Sequence, residues 1–167
     1  RGLMRMSPHF MTTFPHNMPA YHLAQAFRCL GPSLTVSTAC ATGAQAIGEA
    51  AEMIRSGAAD LALAGGTEYC VFPLFIASFA VQRAASTWND RPEEASRPFD
   101  AERHGFVVGE GAGVVVLESL EHARARGARI YAELLGYASS NDGYHPIAPD
   151  PEGSGAARAI RAALADA

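Results

Sequence analysis

The chain has 167 residues, a net charge of −4 and 49% hydrophobic residues, the length of one ordinary domain. That balance excludes a disordered chain, and 13 basic against 17 acidic residues argue against a nucleic-acid footprint. No apolar run reaches the roughly 18 residues that span a bilayer, so an integral membrane protein is not expected.

Every basic residue is arginine, and lysine is absent. This chain therefore supplies no Schiff base or lysine nucleophile. Cys29, Cys40 and Cys70 form no CxxC pair and are too few for a disulfide framework. They fit a reducing cytoplasm. The start, Arg-Gly-Leu-Met-Arg, is not a signal peptide. The chain opens on Arg1 and closes at Ala167 inside a predicted helix, which reads as a piece of something larger.

Residues 1–19 hold Met4, Met6, Met11 and Met18 among prolines and histidines. They read as irregular, with apolar side chains that need a surface to pack on. Tyr21 to Leu30 predicts a short helix, stopped by Gly31-Pro32. Ser33 to Ser37 predicts a short strand. After Thr38-Ala-Cys-Ala-Thr-Gly43, alanine-rich residues run to Ser56 and predict a long helix, apolar on several sides and so buried. Gly57 ends it. Leu61 to Gly65 reads as an apolar strand covered on both faces, and residues 73–86 as helical or mixed.

Thr87 to Asp100 is a polar loop. Gly105 to Val108 and Gly113 to Leu117 read as strands, with Gly109-Glu-Gly-Ala-Gly113 as a tight turn between them. Its spacing does not fit G-x-G-x-x-G. Asp100, Glu102 and Arg103 suggest an ion-paired loop. Ser119 to Arg126 predicts a charged helix closed by Gly127, Ile130 to Ala138 a strand, Ser139 to Gly155 a loop, and Ser154 the start of an alanine-rich helix. Gly57-Ala-Ala-Asp and Gly127-Ala-Arg-Ile echo each other, each ending a helix. Interleaved strands and helices predict an α/β architecture.

Cys40 is the candidate nucleophile. It lies between a predicted strand and a predicted helix, near the free N–H groups and positive dipole end of that helix. Both favour thiolate, the reactive form. Gly43 and its neighbouring alanines leave room for an acyl group. A free cysteine that merely packs is the competing reading, and Cys29 and Cys70 are read that way.

Val36-Ser-Thr-Ala-Cys-Ala-Thr-Gly43 resembles the active-site motif of the β-ketoacyl-acyl-carrier-protein synthases, condensing enzymes of the thiolase superfamily. The resemblance continues through Ala64-Gly-Gly-Thr-Glu68, Ser96-Arg-Pro-Phe-Asp100 and Arg103-His-Gly-Phe-Val107. It then runs through Gly109-Glu-Gly-Ala-Gly113 and Arg126-Gly-Ala-Arg-Ile-Tyr-Ala-Glu133, and so covers essentially the whole chain. Ser140-Asn-Asp-Gly-Tyr-His-Pro-Ile-Ala-Pro149 is similar to the elongating, ketosynthase II type.

The resemblance implies a thiolase-like layered αβαβα fold, of which this chain is a partial piece. Residues 1–129 would close the N-terminal half, and residues 130–167 would open the C-terminal half. It implies decarboxylative Claisen condensation of malonyl carrier protein with an acyl chain held on Cys40, in fatty-acid elongation. The Cys40 N–H is the first expected oxyanion donor. A type II polyketide ketosynthase and a non-catalytic truncated partner subunit are the alternatives.

By the same resemblance, Phe79 lines the acyl pocket, although an aromatic at helical spacing is also ordinary core. Phe10 and Met11 match positions that reach into the pocket of a dimer partner, or else pack on their own subunit. His145 sits in a loop near the site mouth, in an entrance or structural role. Arg1, Arg5 and Arg83 are candidates for docking the carrier protein. No metal and no cofactor is implied. The partners implied are acyl carrier protein and a second copy of the chain, without nucleic acid or membrane. The family's two catalytic histidines, in His-Gly-Thr and Gly-His motifs, and its lysine match nothing among these residues. They are expected beyond Ala167, and the 167-residue chain alone is expected to be inactive.

Overall fold

The computed structural model describes residues 6–167. Met4, Arg1 and Arg5 therefore lie outside the described residues. The elements are α1 (Met18–Phe27), α2 (Thr42–Arg55), β1 (Leu61–Glu68), α3 (Pro73–Val81), β2 (Gly111–Glu118), α4 (Leu120–Ala125) and α5 (Ser154–Asp166). Short 3₁₀ turns occupy Phe10–Thr12, Ala39–Ala41 and Pro92–Glu94. Two compact units emerge: one runs up to Gly66 and includes Val114–Ala167, and the other is Thr67–Gly113.

Helices α1, α3 and α4 start where their first residues need no backbone donor or find a cap. Proline stands in the first turn of α1 and opens α3, where its missing N–H costs nothing. Ser119 Oγ accepts the His122 N–H at 3.2 Å and caps α4.

Four helices end in one hydrogen-bond pattern. In α2 the Gly57 N–H donates to Ile54 O at 3.0 Å and the Ala58 N–H to Met53 O at 2.9 Å. In α4 the Gly127 N–H donates to Arg124 O and the Ala128 N–H to Ala123 O. Both glycines are left-handed, at φ 75 and φ 66, as a Schellman end requires. The sequence echo between the two glycine segments is this shared cap. Helices α1 and α3 end the same way, but with Arg28 and Arg83 at φ 54 and φ 57.

In the first unit, β1 and β2 form a two-stranded sheet. The Ser119 N–H donates to Asp60 O at 3.0 Å, so the end of β2 meets the start of β1 and the strands run antiparallel. Strand β1 passes through Gly65 and Gly66 to Glu68, beyond the expected stop at Gly65. Only Ala64 in it is buried, and Val114, Val115 and Val116 of β2 are exposed. The expected two-sided cover is thus not found among the described residues. A two-stranded ladder leaves one edge of each strand unpaired.

Helix α2 buries Gly48, Ala50 and Ala51. Gly48 and Ala50 stand about 160° apart around a helix of 3.6 residues per turn, so its burial extends beyond one face, in line with the expectation. The small residues matter because a neighbouring aromatic side chain comes very close. A Cβ on Gly48 would lie 2.2 Å from the Tyr137 ring. At the far end, Arg55 donates to Glu52 Oε1, Asp166 Oδ2 and Leu135 O, each at 2.8 Å. The Tyr137 N–H donates to the same Asp166 oxygen at 2.9 Å. The Arg55 guanidinium, with the Tyr137 amide, holds the Asp166 carboxyl below the usual carboxylate range. A Cβ on Gly136 would lie 2.2 Å from Ala163 O, so α5 also packs tightly on this segment.

Residues 130–138 were expected as a strand. They carry no ladder among the described residues and are held instead by these side-chain bonds. Residues 33–37 likewise form no strand. A strand exists only through a partner, and none of the described residues pairs with either segment.

In the second unit, residues 105–108 contribute only the parallel bridge Ala85↔Phe106. Gly105, at φ 79, approaches within 2.6 Å of Ala84 O where a Cβ would stand. Phe72, Phe75, Phe79 and Phe106 form a contiguous aromatic row with centroid separations of 5.8, 5.2 and 5.8 Å. Gly111 and Gly113 lie inside β2 without positive φ, so the glycine run is not a tight turn. Its neighbours are tied down: Cys70, 4% exposed, donates from Sγ to Gly109 O at 3.0 Å, and the Val71 N–H donates to Glu110 Oε2 at 3.3 Å. Burial pushes the Cys70 thiol up. Cys29, by contrast, is exposed and does not pack.

One loop differs from expectation in its bonding. Asp100 accepts the Glu102 N–H at Oδ1, while Arg103 donates to Asp100 O. The ion pairs there run from Arg97 to Glu94 and Glu102, not to Arg103. At the junction of β2 and α4, Arg126 forks onto Glu118 with 2.6 and 2.7 Å bonds, and His122 Nδ1 shares the Glu118 Oε1.

Two outcomes are expected. Gly48→Ala drives a methyl into the Tyr137 ring and costs about 1–3 kcal/mol, read as a lower urea midpoint. The Glu118 carboxyl is held down, chiefly by Arg126, from the ordinary 4.5 to about 2. Because its folded pKa is depressed, its stabilisation is full above about 4.5 and is lost as pH falls towards about 2. Urea midpoints of the native chain and Glu118→Gln should therefore differ at pH 7 and converge near pH 2.

Candidate active site

Cys40 sits in the 3₁₀ turn Ala39–Ala41, immediately before α2. The turn is strained: Ala39 is left-handed at φ 49, a region costing about 1–2 kcal/mol for a residue with a Cβ. Thr38, at φ −132, leads into it, and the Thr38 N–H donates to Thr42 Oγ1 at 2.8 Å. That bond closes the turn over Ala39, Cys40 and Ala41. The Ala41 N–H donates to Thr38 O at 3.1 Å, while the Cys40 N–H has no backbone acceptor among the described residues. The thiol is exposed. The result is a free thiol and a free amide side by side at the head of a 14-residue helix.

The turn rests on the sheet through two glycines. A Cβ on Gly66 of β1 would lie 3.3 Å from Gly43 Cα, whereas a Cβ on Gly43 would lie 3.9 Å from Gly66. Nothing in the sequence pairs Gly43 with Gly66. The Gly65-Gly66 doublet marked a strand end in sequence and proves to be a place of close approach. Ala39 carries no sequence signal of strain at all.

The other expected site residues occupy separate local settings. Phe10 stacks on Phe14 at 4.8 Å and 15° in the Phe10–Thr12 turn, and Met11 there is 68% exposed. His22 Nε2 bonds Thr12 O at 3.0 Å and ties that turn to α1. His145 Nδ1 accepts the Ile147 and Ala148 N–H groups at 3.1 and 3.0 Å. An accepting Nδ1 places the ring proton on Nε2, so the two backbone amides occupy the Nδ1 lone pair. Among the described residues, no hydrogen bond or ring contact joins Cys40, the Phe10–Met11 turn and His145. Phe79 belongs to the second unit, half-buried between Phe75 and Phe106.

The loop holding His145 is anchored on α5. Asp150 accepts the Glu152 and Ser154 N–H groups, and the Ser154 hydroxyl also bonds it. These bonds, the Ser154 hydroxyl first, hold the Asp150 carboxyl below its ordinary range. Asp142 Oδ2 accepts the Asp150 N–H at 3.0 Å, and a Cβ on Gly155 would lie on Asp142 Oδ1. In the second unit an open hollow of about 520 Å³ is lined by Thr87, Trp88, Glu102 and His104. Arg97 lies 4.1 Å over the Trp88 ring. No group of three or more potential metal ligands occurs among the described residues, and no helix there is long and apolar enough to cross a membrane.

A strained turn that presents a thiol at a helix head is the local form of a nucleophile site. The fold agrees with known acyl-condensing proteins. A type II polyketide ketosynthase, solved with its acyl-carrier protein and bound to the hexaketide, superposes with a TM-score of 0.91 at 40% identity. It is matched over 99% of this chain and 41% of its own length. A β-ketoacyl synthase from Burkholderia phymatum superposes at 0.88 with 43% identity, over 97% and 39%. The architecture is therefore that of a thiolase-like ketosynthase, present in part.

The family follows from the sequence match. Residues 2–123 match the beta-ketoacyl synthase N-terminal domain and residues 131–167 the beta-ketoacyl synthase C-terminal domain, and the chain belongs to the beta-ketoacyl synthase family. Its relatives include 3-oxoacyl-[acyl-carrier-protein] synthase 2 of Rhizobium meliloti, 51% identical over 98% of the chain and 39% of that protein. The protein of the same name from Vibrio cholerae is 48% identical over 100% and 40%. The mitochondrial 3-oxoacyl-[acyl-carrier-protein] synthase of Arabidopsis thaliana is 50% identical over 98% and 36%. The chain spans about two-fifths of the length of these relatives.

Replacing Ala39 by glycine should relieve the left-handed strain at the turn. After the extra unfolded-state freedom of glycine, a net gain of about 0.5–1 kcal/mol is expected, read as a higher denaturant midpoint for Ala39→Gly.

Proposed function

We propose that this chain carries the nucleophile of a 3-oxoacyl-acyl-carrier-protein synthase acting in fatty-acid elongation. The Ala39–Cys40 turn carries the reading: an exposed thiol, a free amide beside it, and a strained backbone that holds both at the head of α2. The Cys40 thiolate attacks the thioester carbonyl of an acyl carrier protein. The tetrahedral oxyanion is held by the Cys40 N–H, and the carrier thiolate leaves and takes up a proton. Malonyl carrier protein then loses carbon dioxide, and its carbanion attacks the acyl-cysteine. The carbon–sulfur bond breaks, and a β-ketoacyl carrier protein two carbons longer departs.

In this reading residues 1–129 belong to the nucleophile-bearing half and residues 130–167 to the second half. Phe79 lines the acyl pocket within its aromatic row. Phe10 and Met11 enter a dimer partner, in keeping with their exposure. His145 organises its loop through Nδ1 at the entrance rather than moving a proton. Acyl carrier protein and a second copy of the chain are the partners, and the cytoplasm is the compartment.

Fatty-acid elongation is preferred over polyketide synthesis because relatives named for the former reach 51% identity. The polyketide ketosynthase, at 40%, favours the second reading through its TM-score of 0.91.

The decarboxylation half calls for two histidines and a lysine that match nothing in these 167 residues. The purified 167-residue chain is therefore expected to show no malonyl-dependent elongation. In the complete protein, an epoxide-type thiol electrophile such as cerulenin should label Cys40 and block elongation. Cys40→Ala should lose both the label and the activity, and elongation persisting in Cys40→Ala would refute the assignment.

A further inference from the structure

Gly66 stands inside β1, flanked by strand on both sides. Glycine weakens a strand interior, and here it is not repaid by backbone freedom, since Gly66 is not among the positive-φ glycines. What it provides is close approach. A Cβ at this position would stand 3.3 Å from Gly43 Cα and 3.7 Å from Gly43 N. Both atoms are backbone, so no rotamer change can relieve the contact, and the chain itself must give by a few tenths of an ångström.

The backbone that must give is the first turn of α2. Gly43 is the second residue of that helix and lies three residues after Cys40. The rest of α2 has little freedom to follow. Gly48 is locked beneath the Tyr137 ring, and Arg55 is bonded to Asp166 and Leu135. A displacement imposed at Gly43 is thereby taken up in the Thr38–Thr42 segment, which already holds a left-handed alanine.

We infer that Gly66 is a positioning residue for Cys40, its bare Cα setting how closely the head of α2 seats on the sheet and so where the thiol and the Cys40 N–H stand. The inference rests on the proposed role of Cys40 as acyl acceptor. Gly66 touches no substrate and acts only through the turn.

The test measures transfer of a medium-chain acyl group from acyl carrier protein to Cys40 in the complete protein, followed by mass spectrometry of the acylated protein. A shift of a few tenths of an ångström at a nucleophile and its oxyanion donor is worth roughly 3–10-fold in rate. Gly66→Ala and Gly66→Ser, which add the same Cβ, should each lower the rate at saturating carrier by that factor. The half-saturating carrier concentration should not change.

The control is Gly127→Ala, which forces a side chain into the left-handed cap of α4 at φ 66. It should lose thermal stability yet keep the full rate, separating positioning from general destabilisation. Unchanged acyl transfer in folded Gly66→Ala and Gly66→Ser overturns the inference. So does an equal rate loss in Gly127→Ala, or failure of both Gly66 variants to fold, which would mark Gly66 as purely structural. Acyl transfer that survives Cys40→Ala refutes the nucleophile reading itself, a separate result from any at Gly66.

Discussion

The close seating of α2 is the constraint on which the first unit depends. Three kinds of contact fix the helix along its length: bare backbone against backbone at Gly43 and Gly66, an aromatic ring over Gly48, and a charged hub at Arg55. Each works because the helix face is small. A larger residue at position 48 or 66 would hold the helix off the Tyr137 ring or the sheet. Alanine and glycine bury little area each, so closeness of packing rather than bulk is what holds this helix in place.

Carboxylates do the complementary work at the chain's corners. Asp166 receives Arg55 and the Tyr137 amide, Glu118 receives Arg126 and His122, and Asp150 receives the head of α5. Each stands at or beside the end of a strand or helix. The Arg55–Asp166 pair also spans the two regions that match the N- and C-terminal family domains. Side-chain bonds replace a strand ladder along residues 130–138 and keep that segment against α2 and α5.

The Cys40 turn joins these features to the proposed chemistry. Its strain at Ala39 is sustained by the Thr38–Thr42 hydrogen bond and by the seating of the helix behind it. A turn so held presents the thiol and its own amide together, which under the proposed role of Cys40 would leave little reorganisation for the reaction. His145 shows the opposite use of a reactive side chain. Its Nδ1 is committed to two backbone amides, so the imidazole shapes a loop.

The sequence alone determined the family and most helices, and it singled out Cys40 as the candidate nucleophile. The Cys40 motif, the ordered run of further motifs, and the helix-ending glycines at 57 and 127 are local signals, each read within a few residues. Strands at 33–37, 105–108 and 130–138 were misjudged because apolar, β-prone residues cannot show whether a partner strand lies alongside. The role of Gly65-Gly66 was misread for a similar reason: a glycine needed for close approach looks, in sequence, like one needed for a turn. Only the tertiary structure decided that Gly66 faces Gly43, that Ala39 is left-handed, and that Arg55 reaches Asp166 across 111 residues of chain. Those are facts about which distant backbones meet. No local pattern of side chains encodes them, because the contact energy belongs to the pair and not to either residue.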